Sequence, residues 1–376
     1  MTGHLDAVRS AVQDVLARVG GGDVVDGVVD LAVWHALDEL GFTTLTVPAE
    51  LGGSGGDICD AAAALGAAAL ANIPLGEALL LAGPLLSAAG LQWPATVVTA
   101  SIGSEVAVDP GAKRMLSGLV PRVPWLRGAD QVVLLVNDNG RPAVASIGTD
   151  CPGVSLRAGS NVAGETRDDL VLNGVVPRIV AALPGGWDAM RVTQLGAVCR
   201  TSQMAGASRQ ALLLTARHVA QRTQFGRPLI KFQAVQQMLA SLAADVATVQ
   251  MCADTAAIAM RDRPATADAT IAAAKAESSS LARRIAAISH QLHGAIGFSK
   301  EHALGECTRR LWSWREEFGN ELVWQQRLAD YIADASGEVW SVLTDTTSAP
   351  HPCARCARPH PRRATTRTTS DPAGHA

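Results

Sequence analysis

The stretch Arg222-Thr223-Gln224-Phe225-Gly226-Arg227-Pro228-Leu229-Ile230-Lys231-Phe232-Gln233-Ala234-Val235-Gln236-Gln237 decides how the chain is built. A helical pattern runs into it as far as Arg222. Gly226-Arg227-Pro228 then turns the chain, because proline breaks a helix and pushes the residue before it out of the α region. A second helical pattern leaves near Phe232. Arginine at a helix end offers a planar fork of donors suited to a phosphate, and Phe225 and Phe232 offer flat apolar faces for a ring. The same residues also describe an ordinary helix–turn–helix corner with a solvated arginine. Taken alone they leave both readings open.

Beyond the corner, Val235, Met238 (with Leu239), Leu242, Val246 and Val249 form one helical stripe. Leu281, Ile285, Ile288 and Leu292 form another. Both read as core packing of a helical bundle that reaches about Val342. A second conspicuous stretch, Gln291-Leu292-His293-Gly294-Ala295-Ile296-Gly297-Phe298-Ser299-Lys300-Glu301-His302, breaks the second stripe with two glycines. Glycine lets backbone approach a ligand closely, and it also simply turns a chain. The last segment, 346–376, is rich in proline, threonine and arginine and reads as a disordered tail. Its Cys353-Ala354-Arg355-Cys356, flanked by His351 and His360, lacks a second ligand pair at finger spacing, so no metal site is assigned.

Ahead of the corner the pattern changes twice. Residues 101–185 read as a small β domain. Val132 to Val136 and Ala143 to Ile147 pair across the turn signal Asp138-Asn139-Gly140, with further strands at Val154 to Leu156 and Leu170 to Leu172. Pro184-Gly185-Gly186 is the exit. Residues 1–100 read as helices. Leu5, Val8, Val12 and Val15 share one face, Ala32 to Leu40 stops at Gly41, and Asp57 caps an alanine-rich helix. The expected domains are therefore 1–100, 101–185, 186–345 and the tail.

Composition agrees with a large soluble fold. Of 376 residues, 48% are hydrophobic and 18% charged, which excludes wholesale disorder. A formal net charge of −3 supplies no general field for nucleic acid or an anionic membrane. Seven scattered cysteines fit a reducing cytoplasm better than a disulfide framework. The N-terminus lacks a signal-peptide pattern, and the apolar stretch Ala61 to Leu91 is interrupted by Pro74, Glu77 and Pro84. No dinucleotide glycine fingerprint follows a strand, and P-loop, HExxH and GxSxG signatures are absent.

Taken together, five segments resemble the acyl-CoA dehydrogenase family. They are RTQFGRPLIKFQAVQ (222–236), QLHGAIGFSKEHAL (291–304), LDELGFTTLTVPAELGGSGGD (37–57), LRGADQVVLLV (126–136) and TRDDLVLNGVVP (166–177). The likeness spans roughly residues 30–340. It implies an N-terminal helical domain, a small β-barrel and a C-terminal four-helix bundle, which is the helix–strand–helix order already read from the residues. It also implies non-covalent FAD, an acyl-CoA substrate, a dimer or tetramer with flavin at subunit seams, and an electron-transfer flavoprotein or similar acceptor. In such enzymes a carboxylate removes the α-proton of the thioester while the β-hydrogen leaves as hydride to the flavin.

By the same resemblance, Arg222 and Gln224 match positions that touch the FAD pyrophosphate of a neighbouring subunit. Phe225, Phe232 and Gln233 match adjoining flavin contacts. Gln291, Leu292, His293, Gly294 and Ala295 match the segment lying along the adenosine–pyrophosphate portion, with Ala295 replacing a commoner glycine. Two departures matter more. The usual base directly precedes a glycine in the loop that here reads Glu316-Glu317-Phe318-Gly319, so Phe318 holds the base position and Glu317 is one residue away. An alternative base position on the first long bundle helix shows only Gln203, whose amide cannot act as a base. In addition, Ser101 to Lys113 lacks the family's flavin-ring loop. These losses resemble one subunit class of actinobacterial heteromeric enzymes that act on bulky acyl-CoAs. The expectation is thus an FAD-dependent acyl-CoA dehydrogenase subunit whose base comes from a partner. The alternatives are a self-sufficient homotetramer using Glu317 and a non-catalytic scaffold.

Overall fold

The computed structural model describes residues 2–19, 28–299 and 302–334. The expectations for the tail and for the bundle's last turns lie outside these residues. Three helices open the chain. α1 (Thr2–Val19) buries Val12 and Val15, with Leu5 and Val8 half-buried against the same core. Asp30 caps α2 (Leu31–Asp38) by accepting from the Val33 N–H, and Gly41, at φ +75°, ends the segment. Asp57 starts α3 (Ile58–Ala67) with a capping box: its carboxylate accepts from the N–H groups of Cys59 and Asp60, while Asp60 accepts from the Asp57 N–H. α4 (Leu75–Glu77) then passes through a π-helical turn (Ala78–Ala82) into α5 (Gly83–Ala88).

Strands occupy Val98 to Ala182 and form two four-stranded sheets. One orders β1 (Val98–Ile102), β4 (Gln131–Asp138), β5 (Arg141–Gly148) and β8 (Ile179–Ala182). The other orders β2 (Ala107–Val108), β3 (Leu116–Pro124), β7 (Arg167–Val175) and β6 (Val154–Arg157). Val120, Val123, Val132, Leu134, Ile147, Leu170 and Leu172 share one core between them. The Asp138↔Arg141 register closes on Asn139 and Gly140, both at positive φ, which is the two-residue turn that the sequence signals.

The C-terminal domain is a helical bundle. α6 (Ala189–Gln221), α7 (Gln233–Asp262), α8 (Ala267–His293) and α9 (Leu304–Trp314) pack around Met204, Ala207, Leu242, Val249, Ile285 and Leu311, and α10 (Glu321–Asp334) lies against α8. α7 is long and apolar enough to cross a membrane by length and composition alone, but here it packs along α6 and α8. Its stripe seals only from Leu242 onward; Val235, Met238 and Leu239 are half-buried. α3 approaches α6 at Gly66 and Gly206, where a Cβ on Gly206 would lie 2.1 Å from the Gly66 carbonyl oxygen.

Candidate functional site

Two regions carry the residues singled out by sequence. The first is the end of the bundle. α6 closes at Arg222, β9 (Thr223–Gln224) and β10 (Arg227–Pro228) form a minimal hairpin, and α7 begins after Phe232. Phe225 (φ +50°) and Gly226 (φ +79°) make its turn. Phe225 stands 90% exposed, with its ring edge-on to Phe232 at 6.2 Å, and the Arg227 guanidinium lies 4.2 Å over the other ring. Arg222, Gln224 and Gln233 are exposed, and their side chains have no hydrogen-bond or ion-pair partner among the described residues.

The glycine-broken segment meets this corner. One turn before Arg222, His218 stacks on His293 with ring centroids 4.5 Å apart. α8 ends there: Gly294, at φ +65°, leaves the helix with open space where a Cβ would stand, and a short 3₁₀ turn follows to Phe298. Gln291, Gly294 and Ala295 line a groove with about 710 Å³ of room between α8 and α9. Leu292 and His293, by contrast, are buried and do not line it. The groove also holds Arg283 and Arg309, which sequence reasoning passed over. Their guanidiniums have no partner among the described residues, and Trp312 and Phe298 add aromatic surface. Unpaired arginines beside flat rings suit an adenine nucleotide's phosphates and base. No motif marks Arg283 or Arg309, since only the antiparallel packing of α8 and α9 brings them together.

The second region is the loop between α9 and α10, where the β domain meets the bundle. Glu317 is deeply held. Its Oε1 accepts from Arg167 Nε at 2.8 Å and from Asn161 Nδ2 at 3.1 Å; its Oε2 accepts from Arg200 Nε at 2.7 Å and Arg167 Nη2 at 3.0 Å. Burial would raise the carboxyl pKa, but the two guanidiniums outweigh it and hold the group down at about 2. The network continues inward. Arg200 donates to Glu77 Oε1 at 2.5 Å and to Gln203 Oε1 at 2.6 Å. Glu165 accepts from Arg167, from Trp314 Nε1 and from Arg310. Glu77, Glu165 and Glu317 thus face Arg167, Arg200 and Arg310, with side chains from all three structural regions. Their long sequence separations hid them from pattern reading.

Phe318, at φ +55°, lays its ring over Gly196 of α6, where a Cβ would come within 2.2 Å of it, and Arg200 lies 5.4 Å over the same ring. Beside the loop a cleft of about 470 Å³ is lined by Ser101, Arg122, Pro124, Arg167, Glu316, Glu317 and Phe318. Pro124 contributes no N–H there, and its carbonyl accepts from Thr99. Arg167 and Glu317 are taken up by each other and by Glu165, Arg200 and Asn161, and Glu316 is held by Arg315 and Asn320. That leaves Ser101 and Arg122 as the cleft's polar side chains without a hydrogen-bond or ion-pair partner among the described residues.

A helical domain, a two-sheet β domain and a helical bundle follow one another along the chain, with a groove bearing two arginines at the bundle end. The sequence matches the acyl-CoA dehydrogenase N-terminal domain over residues 4–92 and the acyl-CoA dehydrogenase C-terminal domain over residues 185–329. The chain belongs to the acyl-CoA dehydrogenase family, whose members are oxidoreductases acting on acyl-CoA. It is 27% identical to acyl-CoA dehydrogenase FadE27 of Mycobacterium tuberculosis, covering 73% of this chain and 80% of that one. It is 26% identical to the caffeyl-CoA reductase-Etf complex subunit CarC of Acetobacterium woodii, over 80% and 91% respectively. Its fold is similar to that in the ChsE4-ChsE5 complex from Mycobacterium tuberculosis, with a TM-score of 0.80 at 22% identity over 89% of this chain and 98% of that one.

Proposed function

We propose that this chain is one subunit of a heteromeric FAD-dependent acyl-CoA dehydrogenase. In this reading it grips the phosphate end of a flavin dinucleotide, and a partner subunit supplies the base. The observation that carries the proposal is the contrast between Arg222 and Glu317. Arg222, Gln224 and Gln233 have no hydrogen-bond or ion-pair partner among the described residues, and Phe225 and Phe232 stand with them at the corner. The His218–His293 stack joins that corner to the end of α8, where Gln291, Gly294 and Ala295 line the groove. Glu317 is locked between two guanidiniums with its pKa near 2, so it stays ionised and is too weak a base for an α-proton.

The residues present fit FAD unevenly. Cationic and aromatic groups suit the pyrophosphate and adenosine end. The ring-side cleft is poor in free donors, as expected if another chain completes it. When bound, FAD supplies the hydride acceptor for α,β-desaturation of an acyl-CoA. This chain's contribution is to bind and orient, with Phe318 packed where a carboxylate would act. Support for a partner comes from relatives that are named as parts of complexes, one of them with an electron-transfer flavoprotein.

The test is purification alone and together with a second acyl-CoA dehydrogenase-like chain. The lone chain is expected to be colourless and inactive, and the pair yellow and active. Stoichiometric flavin and turnover in the lone homomer would instead establish a self-sufficient enzyme. Arg222→Ala is expected to lower the flavin content of the pair at least tenfold. Unchanged content would favour the scaffold reading.

A further inference from the structure

Four histidines gather where the two arms of the bundle end meet. His293 stacks face to face on His218 of α6 at 4.5 Å and meets the edge of His302, just before α9, at 4.8 Å. His290, one turn back on α8, stacks on Phe298 at 4.4 Å. Contacts assign the tautomers. His293 Nδ1 lies 2.8 Å from the Ser289 carbonyl, which can only accept, so Nδ1 carries the proton and Nε2 is a bare acceptor. That Nε2 is buried without a partner, in a side chain 5% exposed. The rings stack; no group of three or more His, Cys, Asp or Glu side chains among the described residues is placed to hold a metal.

We propose that His293 is the positioning residue of the bundle-end site: it pins the Arg222 corner to the Gly294 segment through His218 and His302, and the pin holds only while the stacked rings are uncharged. The groups bearing on it are His218 and Arg222 from α6, His290 from α8 and His302 ahead of α9, while α9 itself presents the neutral Thr308 to His290. None of these described groups is a carboxylate that could offset an added proton. Burial, and then the neighbouring rings, push His293 down to about 4, and His218 and His290 shift the same way. Parting the corner from the glycine segment returns the rings to water, where they take up protons that the closed stack refuses, so acid favours the open form.

The consequence for the cofactor rests on the proposed flavin site, but the pin itself can be read without flavin. Backbone amide exchange of the full chain, corrected for intrinsic rate, is followed at residues 222–232 and 294–298 from pH 7 to pH 5. Opening is expected to rise at least tenfold in the wild type and to stay flat in His293→Phe, which keeps a stacked ring but cannot titrate. His218→Phe serves the same purpose should the first variant fail to fold. A flat wild-type profile, or equal pH dependence in wild type and variants, would overturn the pin. In the flavin-bearing assembly, flavin release is expected to share the midpoint of opening. Opening without release would leave the pin standing and overturn the flavin site instead.

Discussion

The interior around Glu317 and the open end around Arg222 are built from the same residue types to opposite effect. Inside, Arg167, Arg200 and Arg310 are each matched to carboxylates at hydrogen-bond distance, and Phe318 lies flat on Gly196. At the open end, Arg222, Arg283 and Arg309 have no anion beside them among the described residues, and Phe225 and Phe298 stand 90% and 74% exposed. A saturated guanidinium is structural, because its donors are spent on the protein itself. An unsaturated one, next to bare aromatic surface, keeps its donors free for an anion. The described residues therefore pair their charges in the interior and leave them unpaired at the bundle end, where the proposed cofactor site lies.

The largest effect is expected inside. Arg200→Ala strands Glu77, which is fully buried, beside Glu317, and removing one partner of a buried ion pair costs about 3–5 kcal/mol. Urea unfolding should show this as a lower midpoint at unchanged slope. Arg200→Met with Glu77→Gln should recover much of the loss, because an uncharged, filled interior can match a paired one. A loss below about 1 kcal/mol for Arg200→Ala would mean that water reaches the network, and the contrast between the two regions would fail.

The difference between the regions also explains what could be read in advance. The corner, the glycine segment, the Asn139-Gly140 turn and the Asp57 cap are local, since each depends on neighbours within a few residues. Their elements appear where expected. In the Glu77–Arg200–Glu317–Arg167–Glu165–Arg310 network, directly bonded partners lie as far as 150 positions apart, so no window of sequence shows it. Glu317 was legible as a loop carboxylate one residue away from the position that precedes Gly319, but its two clamping arginines come from β7 and α6. Arg283 and Arg309 stayed hidden for the same reason. Leu292, although it lies within a recognisable motif, is buried because the helical period turns it inward.

Next in size is the packing of Phe318. Gly196→Ala puts a methyl group into its ring and should cost about 1–3 kcal/mol by overpacking. Phe318→Ala should relieve most of that in a double-mutant cycle. Additive losses would show that the ring does not rest on α6 in solution.

Acid divides the two regions by pH. Glu317 sits near 2 against an ordinary 4.5, so its stabilisation is complete above pH 4.5 and is lost as the pH falls through about 2. The histidines are lowered instead, His293 to about 4 from 6.5. Between those values the unfolded chain binds the proton and the folded one does not, so stability declines as the pH falls from 6.5 toward 4. Unfolding midpoints should fall in two steps on acidification. Glu317→Gln should reduce the lower step, to which Asp168 also contributes, and His293→Phe should reduce the upper one. A single step abolished by either variant would mean that the two regions titrate as one.

The smallest effect on stability is expected at the residue on which the proposed function depends most. Arg222 is exposed, and its side chain makes no contact with a partner among the described residues; Arg222→Ala should leave the unfolding free energy within about 0.5 kcal/mol of wild type. The corner is held by other means: the Leu229 N–H donates to the Arg222 carbonyl at 2.8 Å, and the two-residue hairpin is closed by backbone, both of which survive removal of the side chain. That the fold can lose this guanidinium without cost, at an exposed helix end, is the behaviour that the proposed cofactor role requires. A thermal melt in which Arg222→Ala destabilises the protein as strongly as Arg200→Ala would show instead that this arginine serves the fold, and the distinction between paired interior and unpaired end would collapse at its most informative position.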